Sequence, residues 1–146
     1  MNKIWAYIIA FFSVLVTSAL GQVATVGNVN GSWYKKRKPS ITPPNWVFPI
    51  VWTILYILIA IAFALELQVG DKHIIGLFVL NLILNMTWCF VFFELKQPAW
   101  ALIVLLGVLA TAIAIMWMTT IAFTKWLILP YVLWLIFAMI LNFLSV

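Results

Sequence analysis

Charge is scarce in this chain: eight basic residues, three acidic ones and a single histidine are found among 146 positions, with one cysteine. A lone Cys89 excludes a disulfide within the chain. His73 is also alone, beside Asp71 and Lys72 at an expected helix mouth, where a solvated turn is the simpler reading than a metal site. No paired metal ligands, no Ser/His/Asp set and no glycine-rich phosphate loop are present, so conventional hydrolytic and metal catalysis has no candidates. Within the long apolar stretches no Asp, Glu, Lys, Arg or His falls near a centre; Glu66 and Glu94 are expected at span ends, where interfacial solvation is easy. An ion-coupled pump normally needs such a group at depth, which argues against a drug/proton exchanger of the small multidrug type.

What fills the space is hydrocarbon. Apolar residues make up 67% of the chain and charged residues 8%, against roughly a quarter charged in an ordinary soluble domain. Stretches long enough to cross ~30 Å of hydrocarbon are read five times, at 4–20, 46–67, 74–95, 98–123 and 126–146. The expected fold is therefore an all-α integral membrane bundle of five transmembrane helices, one domain over 1–146, with a single long loop at 21–45. The first stretch has a rival reading as a secretory signal, but its apolar run exceeds the ~7–15 residues usual for one, and retention as a span is expected.

Orientation is read from Lys and Arg, which favour the cytoplasmic side in short loops. Five spans place Lys35, Lys36, Arg37, Lys38 and Lys96 on one side and Lys3, Lys72 and Lys125 on the other. The long loop is expected in the cytoplasm, the N-terminus outside, and the membrane is expected to be prokaryotic. The net charge of +5 suits anionic membrane lipid; so short a basic run in a membrane protein does not point to nucleic acid.

Punctuation divides the loop. "GQVATVGNVNGS" carries three glycines and two asparagines, which favour turns, so a flexible arm is expected there. Pro39, Pro43 and Pro44 then fix their own φ and push their neighbours toward extended backbone, predicting a stiff non-helical cap with Asn45 or Thr42 as the next helix's N-cap. Helical spacing sorts the unusual span residues into stripes: Trp52, Tyr56 and Ala60; Asn81, Asn85, Trp88 and Phe92; Trp134, Ala138 and Leu141 with Asn142 beside them. Trp5, Trp33, Trp46, Trp100 and Trp126 lie near span ends, where an interfacial aromatic belt accounts for them, whereas Trp52, Trp88, Trp117 and Trp134 are expected deeper. Amides in hydrocarbon need partners, so Asn81, Asn85 and Asn142 are read first as links between helices. Aromatic stripes under a proline cap suit a flat, hydrophobic ligand.

These same residues resemble the TspO/MBR family, the tryptophan-rich sensory proteins also called translocator protein or peripheral benzodiazepine receptor. Trp33-Tyr34, Lys38-Pro39 and Pro43-Pro44-Asn45-Trp46-Val47-Phe48 are similar to its WY…KP…PPxWVF loop. Val51-Trp52 with Leu55-Tyr56, and Leu84-Asn85 with Trp88 and Phe92-Phe93, resemble VWxxLY and LNxxWxxxFF. Trp100-Ala101-Leu102 opens the fourth span, and Pro130-Tyr131, Trp134, Phe137-Ala138 and Leu141-Asn142 resemble PYxxWxxFAxxLN.

The resemblance implies a five-helix bundle, often a homodimer, that binds porphyrins such as protoporphyrin IX without requiring a cofactor. Its pocket maps to Tyr34, Pro43, Pro44, Trp52, Tyr56, Asn85, Trp88, Trp134, Ala138 and Leu141, with a tetrapyrrole sandwiched between Trp52 and Trp134. The same two tryptophans form the photochemical pair implied by light-dependent porphyrin breakdown in some members. Departures from the family pattern are a loop one residue shorter, with Arg37 and Ile41 where Leu and Trp are usual, and Val104 in place of an intramembrane Asp. The sterol pattern after Leu141 lacks both its Tyr and its basic residue, so sterol is not the expected ligand. Sensor, facilitated transporter, photo-enzyme and purely structural bundle remain open at this point.

Overall fold

The computed structural model describes residues 1–146. It contains helices α1 (Lys3–Val26), short α2 (Ser32–Arg37), α3 (Val47–Val69), α4 (Lys72–Cys89, continued by a π-helical turn Phe90–Glu94), α5 (Pro98–Met118) and α6 (Ala122–Phe143). All except α2 are long and apolar enough to cross a membrane. The chain is a multi-pass, all-α membrane bundle, the architecture in which every backbone polar group can pair without water.

Local chemistry sets the helix ends. Asn2 Oδ1 accepts from the Ile4 N–H at 2.8 Å, and Asp71 Oδ1 accepts from the His73 N–H at 2.9 Å, so each fills an otherwise orphaned donor. Gly70, at φ 82°, closes α3 by donating to Glu66 O, a left-handed cap that costs glycine little. Pro98 opens α5, where its missing N–H would be unpaired anyway.

Lipid is as apolar as the side chains, so helix association depends on close packing. Ala60, Ala62 and Ala64 of α3 are fully buried, and a Cβ on Gly107 would come within 3.1 Å of Leu84 Cδ1 at the α4/α5 seam. Phe63 stacks on Phe78 with centroids 4.9 Å apart and planes 14° apart. Around this pair the core gathers Ile59, Leu82, Val108, Ile128 and Leu135.

Four expectations need correction. Residues 21–45 are not one loop: α1 runs on through Val26, and 32–37 form a helix of their own. Gly21 does not break α1 because it faces α4; a Cβ there would meet Cys89 Sγ at 3.2 Å. Thr25 Oγ1 donates back to Gly21 O at 3.0 Å, and Asn28 Nδ2 donates to Ala24 O at 2.7 Å, so polar side chains serve the helix end.

Neither Asn45 nor Thr42 caps α3, whose N-cap position is Trp46. Asn45 Nδ2 donates instead to Asn30 Oδ1 at 2.9 Å, tying the two ends of the α1–α3 connection together. The fourth span ends at Met118 rather than 123 and the next begins at 122, which brings Trp117 to a helix end, 86% exposed, and not to bundle depth. Glu66 is not solvated: it is 1% exposed and accepts from Thr119 Oγ1, which in turn accepts from the Ile121 N–H at 3.0 Å. One threonine thus joins α3 to the α5–α6 turn.

Chain order puts Lys35, Lys36, Arg37, Lys38 and Lys96 at one end of the bundle and Lys3, Lys72 and Lys125 at the other. The cavity described next lies at the first of these ends.

Candidate ligand cavity

A cavity of about 310 Å³ is enclosed between α2, the segment after it, and the neighbouring ends of the five long helices. Its volume is at the low end of the ~300–1,000 Å³ usual for small-molecule sites. α3 contributes Phe48, Trp52 and Tyr56, α4 contributes Asn85, Trp88 and Phe92, and α6 contributes Trp134, Ala138 and Leu141. These positions recur at three- and four-residue intervals, so each helix turns one face to the same space.

The rings are packed on one another. Trp52 lies 5.4 Å from Tyr56 at 34° and 6.5 Å from Trp134 at 89°, and Phe48 meets Trp134 edge-on at 5.8 Å. Trp88 stacks on Phe92 at 5.1 Å and 25°. A planar ligand held between two indoles needs a face of each; Trp52 and Trp134 instead stand perpendicular and in contact. As they stand here the two indoles leave no slot between them for a planar ring.

α2 roofs the cavity. Tyr34 is buried with its ring edge-on to Phe93 at 5.2 Å, and burial pushes its phenol above the ordinary 10.0. Trp33, expected in the interfacial belt, is half-buried and packs on Phe92 at 5.6 Å. Arg37 lies over the Trp33 ring at 6.0 Å and donates to Ser145 O at 3.4 Å, while Lys38 Nζ lies 5.8 Å over Tyr34. Two of the four basic residues thus fasten the roof, and Lys35 and Lys36 face outward.

Of the ten residues expected at the site, Tyr34, Trp52, Tyr56, Asn85, Trp88, Trp134, Ala138 and Leu141 line the cavity. Pro43 and Pro44 do not; Pro39, Asn45 and Pro49 line it in their place. The physical reason is a turn: the Val47 N–H donates to Pro44 O at 3.0 Å, which commits the diproline to starting α3 and leaves Pro44 exposed. Sequence reasoning missed the α1 wall of Ser18, Gly21, Gln22 and Thr25, and also Cys89 and Phe48. The signal was present, because 18, 22 and 25 repeat at helical spacing as a polar stripe. No cluster of three or more His, Cys, Asp or Glu side chains comes together that could hold a metal ion.

Most polar groups here are partnered. Trp88 Nε1 donates to Asn142 Oδ1 at 2.9 Å, and Asn142 Nδ2 donates to Pro98 O at 2.8 Å, linking α4, α5 and α6. Asn85 bridges Tyr56 and Tyr131. Trp134 Nε1 and Asn45 Oδ1, by contrast, are buried with no partner at all. Buried orphans are rare enough that each asks for an explanation.

Comparison with known proteins decides the family: the model of the TspO/MBR family matches residues 8–145. The chain belongs to the TspO/MBR family. Relatives include the Tryptophan-rich protein TspO of Archaeoglobus fulgidus, 33% identical over 139 residues that cover 92% of this chain and 90% of that one. The Tryptophan-rich sensory protein of Cereibacter sphaeroides is 34% identical over 150 residues, covering 98% and 91%. The Translocator protein of Homo sapiens is 34% identical over 120 residues, covering 76% and 71%. The matched region of this TspO/MBR protein contains α1 from Ile8 onward, the other four long helices whole, and every cavity-lining residue.

Proposed function

We propose that this TspO/MBR protein binds a flat apolar ring compound, with a tetrapyrrole such as protoporphyrin IX as the leading candidate, in the cavity beneath α2. The observation that carries the reading is a cavity walled by rings, one of whose lining residues, Trp134, keeps its indole N–H buried without a partner. Such a donor is costly to leave empty, and a ligand acceptor such as a carboxylate or carbonyl would fill it. Ring contacts with Trp52 and Trp88 supply the rest, each worth about 0.5–1.5 kcal/mol beyond area burial.

A whole macrocycle needs more room than about 310 Å³, so binding includes movement of the roof. That movement is physically cheap, because the roof is fastened by few contacts: Arg37 to Ser145, Asn45 to Asn30, and ring edges. The excess of basic residues at this end supports a cytoplasmic mouth, with exposed Lys35 and Lys36 at the level of anionic lipid headgroups. The relatives' names, sensory protein and translocator protein, suit a protein that holds a small ligand within the membrane.

The test is a titration of protoporphyrin IX into the protein in lipid nanodiscs, followed by tryptophan fluorescence and repeated on the double variant Trp52→Phe/Trp134→Phe. Saturable quenching that weakens in the variant is expected. Linear quenching, equal in both proteins, would mean partition into lipid and would sink the reading. Repeating the titration under illumination, and as uptake into liposomes, separates a binder from a photo-enzyme and from a transporter.

A further inference from the structure

A chain of hydrogen bonds runs from the cavity into the bundle, and its direction is forced from the far end. Asn81 Nδ2 lies 2.9 Å from Val108 O. A backbone carbonyl can only accept, so the amide nitrogen, not the amide oxygen, must face it. Asn81 Oδ1 is then left facing the Tyr131 hydroxyl at 2.9 Å, and Tyr131 must donate. With its proton committed, Tyr131 can only accept from Asn85, whose Nδ2 lies 3.0 Å away. That turns Asn85 Oδ1 toward Tyr56, and Tyr56 must donate to it at 2.9 Å. Thr111 closes the inner end, accepting from Asn81 at 2.9 Å and sharing its one proton between the Gly107 and Val108 carbonyls.

The consequence falls at the cavity. Tyr56 holds its proton turned toward Asn85, and no protein group donates to its oxygen. We infer that Tyr56 Oη is a fixed hydrogen-bond acceptor in the cavity, so that the site selects ring compounds bearing an N–H or O–H donor. Trp134 Nε1, on a ring that also meets Trp52, is the complementary donor. The ligand class is therefore a flat apolar ring system with one donor, such as a pyrrole or lactam N–H, and one acceptor. An ionised carboxylate is directed to Trp134 and away from Tyr56. This specificity rests on the cavity's being a ring-ligand site, as proposed above.

A shape-matched pair of probes tests it. Carbazole and dibenzofuran are both flat tricycles and differ in an N–H replaced by an ether oxygen. Each is titrated by calorimetry into protein-loaded and empty nanodiscs, so that lipid partition is subtracted. Carbazole is expected to bind about three- to tenfold more tightly, the range of one buried hydrogen bond, and Tyr56→Phe should erase that preference. Asn81→Ala, at a position outside the cavity lining, removes the constraint on Tyr131; Asn85 can then turn and the Tyr56 proton face the cavity, so dibenzofuran should gain relative to carbazole.

Equal affinities in the wild-type protein overturn the inference with no variant needed, as does a carbazole preference that survives Tyr56→Phe. If neither probe binds saturably, the ring-ligand reading fails and the acceptor with it. If carbazole is preferred while protoporphyrin IX only partitions, the acceptor stands and the tetrapyrrole does not.

Discussion

Asn81 and Trp134 are both polar side chains inside membrane-spanning helices, yet Asn81 has three hydrogen-bond partners and Trp134 Nε1 has none. The difference separates two parts of one bundle. Around Asn81 the helices are closed on each other, small residues bring α4 and α5 together, and polar atoms answer polar atoms across the seam. Around Trp134 the rings stand edge to face beside a space, and one donor is left buried without a partner. A satisfied buried group holds a fold together, whereas an unsatisfied one beside a cavity asks for a ligand.

Substitutions sharpen that contrast, beginning where the effect is largest. Phe78→Ala removes a ring stacked on Phe63 in the closed part and should lower stability by about 3–5 kcal/mol; thermal unfolding in detergent measures the loss, while the fraction still folded keeps its ligand affinity. Asn81→Ala removes three buried hydrogen bonds, to Val108, Thr111 and Tyr131, and should cost about 1–3 kcal/mol by the same measurement. Trp134→Phe reverses the pattern: no hydrogen bond is lost, so stability should move by about 1 kcal/mol or less, while ligand affinity falls roughly three- to tenfold. Trp117→Ala, at a position 86% exposed to the surroundings, should change stability by under about 0.5 kcal/mol and leave binding unchanged. Were Trp134→Phe to destabilise as strongly as Asn81→Ala with binding untouched, the distinction between the two parts would be lost.

Legibility followed the helical repeat. The stripes through Trp52 and Tyr56, through Asn85 and Trp88, and through Trp134 and Ala138 were readable because each lies on one helix and needs only local periodicity. The α1 wall was obscured by a rule drawn from water, where Gly21 favours a turn; inside hydrocarbon the helix continues to Val26 because unpaired backbone costs more than an unfavourable propensity. Glu66 was misplaced for a different reason. Its partner, Thr119, lies 53 residues along the chain, and no local pattern announces that meeting. The roof was the least readable part: prolines define stiffness but not facing, and the choice between Pro39 and Pro43 or Pro44 depends on a turn bonded through Pro44 O. The perpendicular setting of Trp52 and Trp134 is likewise a matter of side-chain packing, which spacing does not encode.

The most direct measurement fills the cavity instead of removing contacts from it. Ala138 is a small residue of α6 in the cavity wall, and Ala138→Trp would place a ring in the space assigned to the ligand. Calorimetric titration of protoporphyrin IX into nanodiscs bearing the wild-type protein or this variant, with circular dichroism to establish that both are folded, isolates occupancy from stability. The expected result is a saturable component in the wild-type protein and its disappearance in Ala138→Trp with helical content unchanged. An unaltered saturable component in the folded variant would place the ligand elsewhere and contradict the account.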